Sequence, residues 1–89
     1  MANVNVTTTA TLIVPSNAKR ISIIVENEGA SEVFIGSDST VTAANGVKLA
    51  EDGTFCEDAG GTRVYKGDIY GITSAGTADV RYWERESNI

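Results

Sequence analysis

Apolar and polar residues alternate most clearly in two runs of the chain, residues 20–27 and 32–36. In each run every second residue is apolar and β-branched, so these side chains fall on one face of an extended strand. They are Ile21, Ile23, Val25, Val33 and Ile35. The connecting residues 27–31 include Gly29, where a positive φ costs little. The pattern predicts a β-hairpin at the centre of a small sandwich, with one face in the core.

Residues 2–14 form a longer alternating run, with Ala, Val and Leu at most even positions and Asn or Thr at most odd ones. At about 3.3 Å per residue it would span roughly 40 Å, more than one strand of a small sandwich requires. Two interpretations remain open at this point. The run forms two strands of one sheet, or its first half, residues 2–8, leaves the domain as an intersubunit arm.

The remaining sequence is punctuated by turn signals about every 8–12 residues, such as Asn45–Gly46, and shows no helical periodicity of useful length. This spacing is typical of all-β domains. We therefore predict one domain over residues 1–89: an all-β, small antiparallel β-sandwich (jelly-roll-like) or partly open barrel with about 7–8 short strands. Residues 86–89 are expected to be a frayed tail.

The chain has 89 residues, with seven basic and twelve acidic side chains and a formal charge of −5. Nucleic-acid binding and attachment to an anionic membrane both require clustered Lys and Arg, so this balance argues against both. No run reaches transmembrane length, and the first residues have no basic and apolar leader pattern. With one cysteine no internal disulfide can form, and we expect synthesis in a cytoplasm.

Few residues are suited to catalysis. The chain has no histidine, which removes the commonest general base and most zinc or copper sites. The acidic residues Glu51, Asp52, Glu57 and Asp58 could bind calcium, but solvated turns are the simpler interpretation. Cys56 is expected to be a semi-buried strand residue. We predict no enzymatic activity, no catalytic residue, no metal site and no cofactor.

Aromatic residues are the remaining candidates for binding. Tyr65, Tyr70, Tyr82 and Trp83 could stack against sugar rings, as in a carbohydrate-binding module. Residues of this kind on strands are more often part of a core or a subunit interface.

The order of segments resembles that of small structural proteins of tailed bacteriophages. The matching segments are β-rich, begin with a Thr-rich strand and extend over most of the chain. They are residues 7–15, 17–20, 23–27, 33–36, 41–49, 68–72 and 75–81. The section 55–65 departs from the pattern, because Cys56, Glu57 and Asp58 replace a plainer strand and loop.

The resemblance implies a non-enzymatic virion protein with a β-sandwich fold, made and assembled in the host cytoplasm. A capsid decoration (cement) protein that binds the major capsid protein is the first expectation, and a neck, tail or fibre module is the alternative. By analogy the protein would be a homo-oligomer, with a trimer as the guess. The candidate subunit or capsid interface consists of Val4, Val6, Thr8, Tyr82 and Trp83.

Overall fold

A computed structural model describes residues 2–58 and 64–87, with only the backbone of Asp58 included. It contains eight strands, each of which follows an alternating or β-branched stretch of sequence. They are β1 (Ala2–Val6), β2 (Thr11–Val14), β3 (Arg20–Asn27), β4 (Val33–Gly36), β5 (Val47–Leu49), β6 (Thr54–Asp58), β7 (Ile69–Thr73) and β8 (Ala78–Glu86).

The strands form two four-stranded antiparallel sheets, with orders β1-β8-β3-β6 and β2-β7-β4-β5. The pairing is nested: the first strand pairs with the last, the second with the seventh, the third with the sixth and the fourth with the fifth. This is the connectivity of a jelly roll. The predicted fold class, a small all-β sandwich, is confirmed. Below, the first sheet is the one with β3, and the second sheet is the one with β4.

The predicted hairpin of β3 and β4 is wrong. β3 pairs with β6 and β8, whereas β4 pairs with β5 and β7, so the two strands lie in different sheets. Residues 28–32 therefore cross from one sheet to the other. The predicted inner faces are correct at four of five positions, because Ile23 and Val25 of β3 and Val33 and Ile35 of β4 are buried between the sheets. Ile21 is only half-buried, because the pairing of β3 with β8 shifts in register between Arg20 and Ser22. Because β3 and β4 lie in different sheets, the apolar face of each strand covers that of the other across the sandwich.

The N-terminal run also divides between the sheets, which corrects the interpretation that it forms two strands of one sheet. β1 is an edge strand of the first sheet and β2 an edge strand of the second. Between them, the Thr7 carbonyl accepts the amide of Thr73 at 2.9 Å, and the Thr7 hydroxyl accepts the amide of Thr9 at 3.1 Å. β1 pairs with β8 of its own chain. The intersubunit arm over residues 2–8 stays a prediction.

Small aliphatic residues fill the space between the sheets. The core cluster contains Val6, Ile13, Val14, Ile23, Val25, Val33, Ile35, Leu49, Val64, Ile69, Ala78 and Val80. Val4, Phe55 and Tyr82 pack against it and are partly buried. Because the aromatic residues lie at its margin, the core is built mainly from β-branched side chains, which suit a pleated surface.

The last strand extends further towards the C-terminus than the sequence predicts. β8 includes Glu86, and the amide of Ser87 donates to the Lys19 carbonyl at 2.8 Å. These two residues of the predicted frayed tail are therefore attached to the fold. Residues 88 and 89 lie outside the described residues.

A glycine is required at position 29 because the backbone of β8 passes close to it, and not because of its φ angle. Among the described residues, positive φ occurs at Asp52 (62°) and Gly76 (74°), and Gly29 is not among them. A Cβ on Gly29 would lie 2.8 Å from the Cα of Ala78, which is backbone and cannot rotate away. The crossing segment thus needs a glycine in order to pass β8.

We expect Gly29→Ala to lower the free energy of unfolding by about 1–3 kcal/mol, because the added methyl forces the backbone segments apart. Urea denaturation followed by circular dichroism measures the change. Ala30→Ser, at the exposed neighbouring position, is the control and should stay within about 0.5 kcal/mol of the parent. Equal stability of both variants would contradict the close approach.

Candidate interaction surfaces

The outer face of the first sheet carries a row of apolar side chains. Trp83 of β8 lies directly opposite Ile24 of β3, and Ile24 lies opposite Cys56 of β6. Trp83 is 52% exposed and Ile24 is 38% exposed. We call these three residues the tryptophan row. An indole that remains half exposed at the centre of a sheet is a feature of contact surfaces.

Charged side chains border the tryptophan row on both sides. On one side Glu26 of β3 lies opposite Arg81 of β8, and on the other side Ser22 lies opposite Arg85. Arg81 also forms an ion pair with Asp79 at 3.1 Å. The two cross-strand positions that flank the tryptophan row thus each join an acidic or hydroxyl residue on β3 to an arginine on β8.

Two shallow hollows flank Ile24 and Trp83. One, of about 190 Å³, is lined by Ser22, Ile24, Cys56, Glu57, Trp83 and Arg85. The other, of about 160 Å³, is lined by Ile24, Glu26, Glu28, Arg81, Tyr82 and Trp83. In the second hollow, a hydrogen bond with the Glu26 carboxyl and the negative charge of that group raise the pKa of Glu28. The hollows give the face relief into which side chains of a partner can pack.

The outer face of the second sheet is also apolar. Phe34 of β4 lies opposite Ile72 of β7, and Leu12 of β2 lies opposite Tyr70 of β7. Leu12 is 38% exposed, and the other three are half-buried. We call these four residues the Phe34 face. In a solvated antiparallel sheet the outer positions are normally polar, so the second sheet departs from that pattern at the Phe34 face and the first sheet departs from it at the tryptophan row.

The predicted interface residues fall in different environments. Val6 is fully buried, and Val4 and Tyr82 pack against the core. Thr8 and Trp83 are exposed. Contact of Val6 with another subunit would require β1 to leave the sandwich, whereas Trp83 is accessible in the folded chain. The interface assignment stays a prediction, and the accessible part of it on the first sheet is Trp83.

The four aromatic residues considered for sugar binding do not share a surface. Trp83 lies on the outer face of the first sheet and Tyr70 on that of the second, whereas Tyr82 faces the core. Tyr65 lies in the connection before β7, where its hydroxyl donates to the Asp68 carbonyl at 2.8 Å. A stacking platform requires at least two rings on one face, and these rings do not provide it.

The acidic residues considered for metal binding form no cluster among the described side chains, and the side chain of Asp58 lies outside them. Glu51 and Asp52 lie in an exposed turn, and the Glu57 carboxylate accepts the Tyr65 amide at 2.8 Å. Among residues 2–58 and 64–87, no three His, Cys, Asp or Glu side chains are placed to hold one ion. Cys56 is exposed, not semi-buried as predicted, because its position in β6 places it on the outer face.

The sequence analysis missed two buried polar residues at the ends of β3. At its start, Arg20 is fully buried. Its Nε donates to Glu84 at 2.7 Å, and its other nitrogens donate to the carbonyls of Tyr65 at 2.8 Å, Gly67 at 3.2 Å and Pro15 at 2.8 Å. One side chain therefore joins β3 to β8 and to two interstrand connections.

At the end of β3, Asn27 is also fully buried. Its Nδ2 donates to the carbonyls of Ser31 at 2.8 Å, Leu49 at 3.0 Å and Ala50 at 3.2 Å, and its Oδ1 accepts the amide of Gly29 at 2.9 Å. The side chain therefore fixes the crossing to β4. Asn27 has the same parity as the buried residues of β3, and that signal could have identified it from the sequence.

Comparison of the chain with protein-family models, curated proteins and solved structures finds no match. In the part of the chain that the structure describes, no helix is long and apolar enough to cross a membrane.

Proposed function

We propose that this protein is a non-enzymatic structural component of a tailed-bacteriophage virion, and specifically a capsid decoration protein that binds the head lattice. Its partner is the major capsid protein, and it works as a homo-oligomer. The resemblance of the sequence to virion proteins supplies the context. The observation that carries the proposal is that both outer faces of one small sandwich have apolar side chains, in the tryptophan row and in the Phe34 face.

A cement function requires contact on more than one side, because the protein must hold the lattice and its own neighbours. The tryptophan row and the Phe34 face are on opposite sheets, so their apolar side chains point away from each other. Burial of exposed Leu12, Ile24 and Trp83 would each contribute on the order of 1–3 kcal/mol to association. Two such faces support a bridging role.

The free edge of β1 offers a further mode of attachment. Within the described residues β1 has one neighbour, β8, so its other edge has unpaired backbone groups over residues 2–6. A strand of the capsid protein could extend the first sheet at this edge. Asn3 and Asn5 alternate with the inward-facing Val4 and Val6, which keeps the outer surface of the strand polar.

The number of copies per particle tests the proposal. Quantitative mass spectrometry of purified virions of the phage that carries the gene should give a count that matches the number of capsid subunits or threefold sites. A few copies, in multiples of three or six, would instead assign the protein to the neck, tail or fibre. Its absence from the particle would overturn the virion function altogether.

A further inference from the structure

We propose that the outer face of the first sheet binds a second copy of this chain, through a twofold axis parallel to the strands and midway between β3 and β8. This inference concerns the isolated protein and does not depend on the virion function. It rests on the register of two strands and on the side chains that this register places on the face.

The register makes the face complementary to itself. Rotation about a twofold axis between β3 and β8 places β3 of one copy over β8 of the other. Each residue of β3 then lies over the residue that is its cross-strand neighbour within one chain. Ile24 of one copy then lies over Trp83 of the other, and Glu26 lies over Arg81. Ser22 likewise lies over Arg85. The facing side chains at these three central positions are therefore apolar with apolar, acid with base, and hydroxyl with base, whereas Glu28 and Asp79, one position further out, are both acidic.

The shape of the face fits the same arrangement. The hollows beside Ile24 lie next to the site that the partner's indole would occupy. Sheets pack face to face about 10 Å apart with their strands aligned to within about 30°, which is the orientation that this axis produces. Trp83, which is 52% exposed in one copy, would become buried in the pair. A desolvated Trp at the centre of an interface is a typical energetic hot spot.

The size of the face predicts a weak pair. Four strands about 4.8 Å apart and seven residues rising about 3.3 Å each give a face of about 19 by 23 Å. Two copies would bury roughly 900 Å² in total, below the ~1,200–2,000 Å² of stable complexes. The pair should therefore depend on protein concentration, and it would be favoured where many copies are held close together.

Sedimentation equilibrium of the purified protein under reducing conditions tests the pair. We expect a monomer–dimer equilibrium, and we expect Trp83→Ala to raise the dissociation constant about tenfold or more. Val47→Ser is the matched control, because Val47 is 65% exposed but lies in the second sheet. It should leave the equilibrium unchanged. Circular dichroism should show that both variants are folded.

A charge exchange identifies the axis. In Glu26→Lys alone, and in Arg81→Glu alone, like charges would face each other twice across the pair, so each variant should be monomeric. An equimolar mixture should associate as a 1:1 heterodimer, because the new lysine then faces the new glutamate and the native Arg81 faces the native Glu26. An effect within one chain cannot be repaired by mixing two chains.

Several outcomes would overturn the inference. These are a monomer at all concentrations, a trimer, a dimer that Trp83→Ala does not weaken, and a mixture that fails to associate. A dimer that reductant abolishes would also do so, because the proposed axis places the two Cys56 residues about three strand spacings apart in the lateral direction, roughly 14 Å, in addition to the separation of the sheets. A disulfide requires Cα atoms within about 7 Å.

Discussion

Arg20→Met is expected to lower the free energy of unfolding by about 3–5 kcal/mol, the cost of removing one partner of a buried ion pair. The methionine side chain would fill much of the volume but would donate no hydrogen bond. Glu84, whose side chain is 23% exposed, would lose its cation, and three carbonyl groups would lose a donor. Each unsatisfied buried acceptor costs about 1–3 kcal/mol.

The loss is large compared with the total stability of a small domain, which is about 5–15 kcal/mol. Arg20→Lys should recover part of it, because an ammonium group can pair with Glu84 but cannot reach the same set of carbonyls as a planar guanidinium. The connections at Pro15, Tyr65 and Gly67 would remain without a common donor. The difference in the free energy of unfolding between the two variants measures the contribution of the planar guanidinium, which donates to several acceptors at once.

Urea denaturation followed by circular dichroism, at a concentration where the protein is monomeric, measures both variants. Arg85→Met is the matched control, since Arg85 is an exposed arginine on β8. It should change stability by no more than about 0.5 kcal/mol. An Arg20→Met variant that lost less than about 1 kcal/mol would show that the buried guanidinium contributes little to the fold.

Asn27→Asp is expected to cost about 3 kcal/mol or more at pH 7, although the two side chains have nearly the same shape. The amide nitrogen that donates to Ser31, Leu49 and Ala50 would become an oxygen that faces their three carbonyls. A charged oxygen buried among acceptors has no compensating partner. The amide of Gly29 would still have an acceptor, so the loss arises on the Nδ2 side.

The cost should depend on pH. Burial and the facing carbonyls favour the neutral form, so the pKa of the introduced carboxyl would be higher in the folded than in the unfolded chain. A raised folded-state pKa means that the folded protein binds the proton more tightly. The variant should therefore be closest in stability to the parent below the unfolded-state pKa of about 4. It should lose stability as pH rises through the folded-state value.

Parallel denaturation of the variant and the parent between acidic and neutral pH measures this trend. Asn45→Asp is the control, because Asn45 is exposed and its Oδ1 accepts the Thr42 amide at 2.8 Å, a bond that a carboxylate retains. Its stability difference from the parent should stay small at every pH. A constant difference for Asn27→Asp over the same range would contradict a buried carboxyl.

Stability and association depend on different residues of this chain. Arg20 and Asn27 lie inside the sandwich, where their partners are carbonyls, one carboxylate and one amide of the same chain. Trp83 and Leu12 lie outside it. Substitutions of the first pair should alter unfolding, while substitutions of the second pair should alter binding and leave unfolding nearly unchanged. This division makes surface variants interpretable in tests of assembly.

The sequence alone determined the type of fold and the orientation of most strand residues. Alternation in 20–27 correctly placed Ile23 and Val25 inside and Ile24 on the opposite face, because a strand has a fixed period of two. Turn signals predict about seven or eight strands, and the described residues form eight. These properties are local, so a short window of sequence contains the information that sets them.

Strand partners were decided by the tertiary structure. The short connection 28–32 would suit a hairpin, but β3 and β4 have apolar faces that cover each other better across the sandwich than side by side. Alternation along β3 would place Arg20 on the outer face together with Ser22 and Ile24. The pairing of β3 with β8 shifts in register between Arg20 and Ser22, and this shift turns the Arg20 side chain inward. Exposure of the tryptophan row likewise depends on which strands become neighbours. Such pairings join residues distant in sequence, so their energies are fixed only when the whole core assembles.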